Sequence, residues 1–187
     1  MIGADPVALV VCGAPLSARA ADLARHLIES GRPVRVVATR DAMAWVPAAD
    51  VERITGYPPL VDQRQPSHAK RIPPPARVFV CPATFNTVNK LAAGIADSYA
   101  HGFLCEALST GTPTTVVPMV STKLWNHPAW QRNLDTLAEA GVDFLDVQTG
   151  RHDRPEPVES GTGDEVVTRF DPAWLLRPLD APAQKSW

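Results

Sequence analysis

The sequence predicts an α/β protein with three layers, in which helices cover both faces of a parallel sheet. Two observations lead to this fold class. Runs of consecutive apolar residues have the length of strands and show no alternation with polar residues, which is typical of strands buried on both faces. Segments with helical spacing of apolar residues separate these runs, and alternating strands and helices favour a parallel sheet.

The first unit of this pattern is a strand, a helix and a second strand. Residues 7–12, VALVVC, form an unbroken apolar run that ends at Gly13-Ala14-Pro15. Gly31 then closes a predicted helix, as glycine often does just past a helix C-terminus, and residues 33–39 form the second apolar run. The helix is indicated by apolar residues at its spacing, namely Leu16, Ala20, Leu23, Ala24, Leu27 and Ile28.

Residues 47–76 give a weaker pattern, because seven prolines in this stretch exclude long helices. A short strand at residues 51–55 is the element that this segment suggests. Beyond it the alternation resumes, with Pro128 expected in the first turn of the last helix and Gly141 just past its end. The predicted elements are a strand at 77–81, helices at 87–93 and 99–108, a strand at 113–118, a helix at 127–140 and a strand at 142–147.

The composition changes near residue 150. We therefore expect a domain over residues 1–149, followed by a flap and C-terminal extension of the same domain over residues 150–187. The segment that begins at Gly150 is polar and typical of a mobile loop, whereas Trp174, Leu175 and Leu176 could dock one helical turn on the core.

Charge and composition limit the classes of binding partner and the cell compartment that we expect. A formal net charge of −2 gives no bias toward nucleic acid or a membrane surface. No apolar run approaches the ~20 residues of a membrane span, and the N-terminus lacks the layout of a secretory signal. Cys12, Cys81 and Cys105 do not have the spacing of metal ligands, so no metal site is expected. Buried free thiols in a reducing cytoplasm are the simplest interpretation, and we expect a cytoplasmic protein.

Small polar residues follow four of the predicted strands. Because ligands bind beyond the carboxyl ends of strands in open parallel sheets, these residues should meet in one crevice. The turn at Gly13 suits a phosphate, although a plain tight turn explains it equally well. Thr39 is either a ligand contact or a helix cap. Ser121 and Thr122 follow the fourth strand, and Asp41 is the one carboxylate close to the crevice. A crevice lined mainly by hydroxyls and backbone donors suits an anionic or heterocyclic ligand better than a cation.

The segment after the third predicted strand carries a longer motif. CPATFNTVNKLAAGIADSYA, residues 81–100, resembles the pattern P-A-S-A-N-T-x-x-K-x-A-x-G-I-A-D of the flavin-containing cysteine decarboxylase family. Thr84 stands where the pattern has Ser, and Phe85 stands where it has Ala. The matching residues are Pro82, Ala83, Thr84, Phe85, Asn86, Thr87, Lys90, Ala92, Gly94, Ile95, Ala96 and Asp97.

This resemblance, which extends over about residues 7–145, implies a Rossmann-like fold and FMN as the cofactor. It also implies a homo-oligomer, a trimer or a dodecamer, with FMN at the subunit interface. Members of the family decarboxylate phosphopantothenoylcysteine or the C-terminal cysteine of peptides. The residues expected to contact FMN are Gly13, Ala14, Pro15, Thr39, Thr84, Phe85, Asn86, Thr87 and Met119.

The resemblance also suggests catalytic residues. The family has an active-site histidine fourteen residues before the motif proline, and His68 stands at this spacing from Pro82. A solvated loop histidine is the alternative. PMVSTKLW, residues 118–125, is similar to the family pattern P-x-M-N-x-x-M-W, so Ser121 replaces the Asn that holds the substrate carboxylate. No cysteine follows Cys105, so the proton-donating flap cysteine of some members has no counterpart.

Three functions follow from this comparison. The first is an FMN-dependent oxidoreductive decarboxylase of a cysteine-derived thiol carboxylate or a peptide C-terminal cysteine, with His68 as acid and base and Ser121 at the carboxylate. The second is an FMN-binding protein without decarboxylase activity, such as a flavin carrier or a subunit in secondary metabolism. The third, a flavin prenyltransferase, ranks below both because the strand ends lack a cluster of Arg and Lys.

Overall fold

The computed structural model describes residues 5–63, 73–152 and 154–176 and contains one five-stranded sheet. All neighbouring strands are parallel, in the order β2-β1-β3-β4-β5. This confirms the predicted parallel α/β fold. The strands are β1 (Val7–Val11), β2 (Val34–Ala38), β3 (Arg77–Ala83), β4 (Thr114–Pro118) and β5 (Val142–Phe144).

Helices cover both faces of this sheet. Along β1, Val7, Leu9 and Val11 face one layer, while Ala8 and Val10 face the other, as the two-residue period of a strand requires. The first layer holds α1 and α2, and the second holds α3, α4 and α6. The helices are α1 (Ala20–Glu29), α2 (Ala48–Thr55), α3 (Phe85–Ala92), α4 (Tyr99–Ser109), α5 (Thr122–Trp125), α6 (Trp130–Glu139) and α7 (Gly163–Arg169).

The expected strand at residues 51–55 is wrong, because these residues belong to α2. Pro47 precedes the helix and Gly56, with φ of 78°, ends it, so the prolines bound a short helix without interrupting it. Val51 is buried and Ile54 packs beside it, at the i, i+3 spacing of one helical face.

Other boundaries differ from the prediction as well. Strand β3 extends to Ala83, two residues further than expected, and α3 begins at Phe85, two residues earlier. Strand β5 ends at Phe144, three residues earlier than expected. Pro128 lies before α6 and not in its first turn, since the helix begins at Trp130. Gly141 follows this helix with φ of 87°, as predicted.

The described part of the C-terminal segment packs on the α1 side of the molecule. It contains α7 and a 3₁₀ turn, Pro172–Leu176, in which Leu175 is fully buried. The Arg19 guanidinium donates to the backbone oxygens of Val167 at 2.8 Å and Phe170 at 2.6 Å. These bonds satisfy carbonyls at the end of α7 and tie it to the segment that precedes α1. No helix in the described ranges is long and apolar enough to cross a membrane.

Candidate functional site

A cavity of about 590 Å³ opens at the carboxyl ends of the strands, and we call it the carboxyl-end cavity. It lies where the chain leaves β1, β2, β3 and β4, the place at which open parallel sheets bind ligands. Its lining residues are Gly13, Ala14, Pro15, Thr39, Arg40, Asp41, Thr84, Phe85, Asn86, Thr87, Lys90, Asp97, Ser98, His101, Met119, Val120, Ser121 and Leu124.

The turn after β1 brings backbone close to the cavity. A Cβ atom on Gly13 would stand 2.8 Å from the Cβ of Asp41, so only glycine fits between β1 and the turn that follows β2. The Ala14 N–H donates to the Cys12 oxygen at 2.7 Å, and Pro15 begins a 3₁₀ turn. Gly13, Ala14 and Pro15 therefore form a tight wall made mainly of backbone atoms.

Thr39, after β2, bonds to the turn that follows it and also lines the cavity. Its hydroxyl accepts from the Ala42 N–H at 3.3 Å, which caps the short 3₁₀ turn Asp41–Ala44. The same residue lines the cavity together with Asp41.

The motif segment after β3 forms the N-terminus of α3. The Thr84 hydroxyl accepts from the Thr87 N–H at 3.3 Å and lies 3.1 Å from the Thr87 hydroxyl. The Thr84 carbonyl accepts from the Val88 N–H at 3.1 Å. The first-turn N–H groups of a helix lack acceptors within it and its dipole favours anions there, so this helix start gives the cavity donors for a negative group.

The segment after β4 forms the next wall. The Met119 N–H donates to the Ala83 oxygen at 2.9 Å, which continues the β3–β4 pairing to the cavity. Ser121 precedes α5, and its side chain makes no capping hydrogen bond to that helix. The Thr122 N–H donates to Val158 at 3.0 Å, so the C-terminal segment runs alongside. A Cβ on Gly163 would lie 3.2 Å from Pro15, so this segment also borders the β1 turn.

Phe85 contacts aromatic side chains as well as the cavity. Its ring stacks on Trp130 with centroids 5.3 Å apart, and His127 meets it edge-on at 5.5 Å. Phe85 thus joins the start of α3 to the segment that leads into α6.

The structure adds a polar cluster that the sequence analysis did not assign to the site. The Lys90 ammonium lies 2.7 Å from the Asp97 carboxylate. His101 is 4% exposed, and its Nδ1 lies 2.7 Å from the Ser98 hydroxyl and 3.3 Å from Asp97. The sequence spacing could have indicated this cluster, because residues four apart lie on the same face of a helix. Lys90 follows Asn86 by four residues on α3, and His101 follows Asp97 by four residues at the start of α4.

Burial and neighbouring charges set the ionisation of this cluster. Burial, and then the Lys90 charge, lower the pKa of His101, whereas Asp97 acts in the opposite direction. The hydrogen bond from Lys90 lowers the pKa of Asp97. The cluster therefore combines an ion pair with a neutral imidazole.

The predicted residues are brought together, with one exception that the structure does not describe. All described members of the predicted site line the carboxyl-end cavity. They are Gly13, Ala14, Pro15, Thr39, Thr84, Phe85, Asn86, Thr87, Met119 and Ser121. His68 lies outside the described residues.

The thiols of Cys12, just after β1, and Cys81, in β3, are buried. Desolvation by burial raises the pKa of Cys12 to about 11, and it raises the pKa of Cys81 further. Both stay protonated thiols at neutral pH and are poor nucleophiles. In the described ranges no group of three or more His, Cys, Asp and Glu side chains could hold a metal ion.

Comparison with known proteins places this geometry in a family. A family model described as Flavoprotein matches residues 2–168. The bifunctional coenzyme A biosynthesis protein CoaBC of Mycolicibacterium smegmatis is 31% identical over 145 residues, which cover 75% of this chain and 34% of that protein. CoaBC of Bacillus subtilis is 28% identical over 156 residues, which cover 80% of this chain and 38% of that protein. The chain thus spans about a third of the length of these relatives.

Solved structures share the fold. The FMN-dependent cysteine decarboxylase TvaF from thioviridamide biosynthesis has a TM-score of 0.67 and 25% identity, over 75% of this chain and 89% of that one. A phenylacrylic acid decarboxylase from Aquifex aeolicus has a TM-score of 0.70 and 18% identity, over 96% of this chain and 99% of that one. At 18% identity the second likeness concerns the fold alone.

Proposed function

Because the chain belongs to the flavoprotein family, we propose that it is an FMN-dependent oxidoreductive decarboxylase of a thiol-bearing carboxylate. The substrate class is a cysteine-derived thiol carboxylate or the C-terminal cysteine of a peptide. The observation that carries this proposal is the convergence of the β1 turn, the α3 start and Ser121 on one cavity.

The residues of the cavity fit FMN, which is the cofactor. A Cβ on Gly13 would clash with Asp41, so glycine lets the β1 turn pack closely against the turn after β2 and keeps its backbone at the cavity. The N-terminus of α3 adds donors and a favourable dipole for a phosphate. Thr39, Thr84 and Asn86 would supply neutral polar groups to the ribityl chain and the ring, and Met119 would supply an apolar contact.

The bound flavin supplies the acceptor for two electrons from the Cα–Cβ–S unit of the substrate. Loss of carbon dioxide then leaves an enethiol, and the protein has to orient the carboxylate and move protons. We propose that the Ser121 hydroxyl, which α5 does not use as a cap, donates to this carboxylate. His68 stays the predicted acid and base.

Two observations favour a second candidate, an FMN-binding member without decarboxylase activity. A serine hydroxyl is shorter than the amide it replaces and offers one donor where the amide offers two. The sequence also lacks a cysteine after Cys105, so the full reduction to a thiol product has no proton donor of that type.

The ion pairs at the cavity count against prenyl transfer to flavin. Arg40 is paired with Asp62 at 2.7 Å and Lys90 with Asp97 at 2.7 Å. Within the described ranges, the two basic side chains that line the cavity, Arg40 and Lys90, are therefore each paired with a carboxylate, which disfavours a prenyl-phosphate site.

We further propose a homo-oligomer, a trimer or a dodecamer, with FMN near the subunit interface. Leu124 lines the cavity and is 46% exposed, and Ile95, just after α3, is 45% exposed. Exposed apolar side chains of this size suit coverage by a second copy of the chain. Light scattering of the purified protein measures the assembly directly.

The reaction is tested with the FMN-loaded protein, pantothenoylcysteine and a set of cysteine-ended peptides. The proposal expects a product lighter by one carbon dioxide and two hydrogens, together with bleaching of the flavin absorbance without oxygen. Flavin binding without any such product would favour the second candidate.

A further inference from the structure

The C-terminal segment, residues 154–176 in the described part of the chain, runs beside the wall that carries Ser121. The backbone of Val158 forms a parallel β-bridge with Ser121. Its N–H donates to the Val120 oxygen at 2.8 Å, and its oxygen accepts from the Thr122 N–H at 3.0 Å. The backbone on both sides of Ser121 is therefore bonded to one residue of the C-terminal segment.

The Ser121 side chain depends on this backbone for its position. It makes no capping hydrogen bond to α5, and it lines the carboxyl-end cavity. The C-terminal segment borders the cavity on another side as well, since a Cβ on Gly163 would lie 3.2 Å from Pro15 and 3.9 Å from Met119. The placement of this segment thus affects both the shape of the cavity and the position of Ser121 within it.

One guanidinium attaches the helix of this segment to the rest of the molecule. Arg19 donates to the backbone oxygens of Val167 at 2.8 Å and Phe170 at 2.6 Å. These carbonyls lie at the end of α7, where a helix leaves its last carbonyls without donors of its own. Buried apolar side chains of the segment complete the attachment, and they are Val158, Val166, Phe170 and Leu175.

Asp22 fixes the direction of the Arg19 guanidinium. Nε and Nη2 of Arg19 both donate to one oxygen of the Asp22 carboxylate, and Nη1 donates to the carbonyls at the end of α7. Because the donors of a guanidinium form a rigid planar fork, this pairing sets the angle at which Arg19 meets the helix. Arg25 pairs with the same carboxylate at 3.3 Å, but within the described ranges it has no hydrogen bond to the C-terminal segment.

We propose that Arg19 is a positioning residue for turnover. By holding α7, it keeps Val158 against the residues after β4, and Val158 keeps Ser121 at the cavity. This rests on the proposed function, in which Ser121 donates to the substrate carboxylate. Misplacing such a group by about 1 Å costs up to about 100-fold in rate. Arg19 itself does not line the carboxyl-end cavity, so its effect passes through the segment.

Three substitutions separate this role from a general effect on the fold. Arg19→Met keeps an unbranched apolar stem and removes every donor to α7. Arg25→Met is the matched control, because it removes the other arginine that pairs with Asp22 and leaves the bonds to α7 in place. Arg19→Lys keeps the positive charge with fewer donors, and it takes the place of Arg19→Met if thermal melting shows that the latter does not fold.

The first measurement is hydrogen exchange of the Thr122 amide in the FMN-loaded protein, followed by NMR. This amide donates to Val158, so its exchange rate reports how often the C-terminal segment leaves the wall. Loss of the bonds from a charged donor should speed its exchange by about tenfold or more in Arg19→Met, and Arg25→Met should match the parent. Unchanged exchange in a folded Arg19→Met protein would overturn the inference.

The second measurement is kcat/KM with a cysteine-ended peptide at saturating FMN, for the parent, Arg19→Met, Ser121→Ala and the double variant. Arg19→Met should lower kcat/KM about three- to tenfold in the parent. In the Ser121→Ala background the same substitution should change it by less than about twofold, because residues that act through each other are not additive. An equal loss in both backgrounds would overturn the inference, since Arg19 would then act by another route.

The two measurements also distinguish this inference from the proposed function. A parent that binds FMN and turns over no thiol carboxylate would refute the proposed function. The exchange rates of the Thr122 amide would then still decide whether Arg19 holds the C-terminal segment beside Ser121.

Discussion

Two cavities of this molecule differ in how their polar groups are engaged. The carboxyl-end cavity has about 590 Å³ and is lined by first-turn backbone of α3, by Ser121 and by His101. A second cavity, of about 330 Å³, lies between α6, β5 and the segment that follows β5, and we call it the edge cavity. Its lining residues are Gln131, Leu134, Asp135, Ala138, Val142, Asp143, Phe144, His152, Arg154 and Pro155.

The charges of the edge cavity are bonded to one another. Asp143 lies 2.7 Å from His152 and accepts from Thr115 at 3.1 Å. Asp135 accepts from Gln131 at 2.9 Å and pairs with Arg154 at 3.2 Å. By contrast, the Ser121 side chain caps no helix, and Nε2 of His101 has no partner among the described residues. Unpaired donors and acceptors are thus a better indication of a ligand-binding site than the number of charged side chains.

The largest expected effect is at Gly13. In Gly13→Val the added carbon atoms meet Asp41, whose Cβ is 2.8 Å from the first of them, so the β1 turn has to move. This turn is part of the phosphate site that we propose. Loss of charge-assisted hydrogen bonds worth about 3 kcal/mol weakens FMN binding about 100-fold. Fluorescence titration of the apoprotein measures this.

Gly102→Ala is the control for that substitution. Gly102 lies in α4, and a Cβ there meets nothing within 4 Å. This variant should bind FMN like the parent and be more stable by about 0.5–1 kcal/mol, because alanine is the better helix former. Equal FMN affinity for the parent and Gly13→Val would place the phosphate elsewhere.

The next effect is at Ser121, and it concerns turnover and not FMN binding. Ser121→Ala removes the donor to the carboxylate, and a hydrogen bond to a charged group is worth about 1.5–3 kcal/mol, so kcat/KM should fall about 10- to 100-fold. Ser121→Asn restores the amide of the family pattern and should raise kcat/KM. If both variants turn over substrate like the parent, the carboxylate does not contact residue 121.

A smaller effect concerns acid stability. His101 has a pKa below its usual value of 6.5 because it is buried and near Lys90, with Asp97 opposing this shift. The unfolded chain therefore takes up the proton first, and the stability that His101 contributes is present above about pH 6.5. It is lost progressively as pH falls toward the lower pKa of the folded state.

Urea unfolding of the apoprotein at a series of pH values tests this sign. His101→Gln cannot titrate, so its free energy of unfolding should fall less than that of the parent as the pH drops below 6.5. Parallel curves for the two proteins would mean that His101 keeps an unshifted pKa in the fold.

The smallest effect is at the edge cavity. His152→Asn removes a partly exposed pair with Asp143, and such pairs contribute about 0.2–1 kcal/mol. FMN affinity and turnover should be unchanged, since His152 does not line the carboxyl-end cavity. A loss of FMN binding in this variant would erase the contrast between the two cavities.

The sequence predicted the sheet well because unbroken apolar runs leave few alternatives to buried parallel strands. It also placed the strand-end residues together, since parallel strands end at one edge. It failed at α2, where an eight-residue helix between prolines has too little periodicity to be told from a strand. It did not assign His101 to the site, because the contact with Lys90 and Asp97 depends on how α3 and α4 meet.

The most direct test of the account is the flavin content of the purified protein, combined with FMN titration of the apo forms of the parent, Gly13→Val and His152→Asn. We predict a yellow protein that releases FMN on denaturation. The parent and His152→Asn should bind FMN, and Gly13→Val should bind it about 100-fold more weakly. A colourless parent that binds no added FMN would contradict the account, as would loss of binding in His152→Asn but not in Gly13→Val.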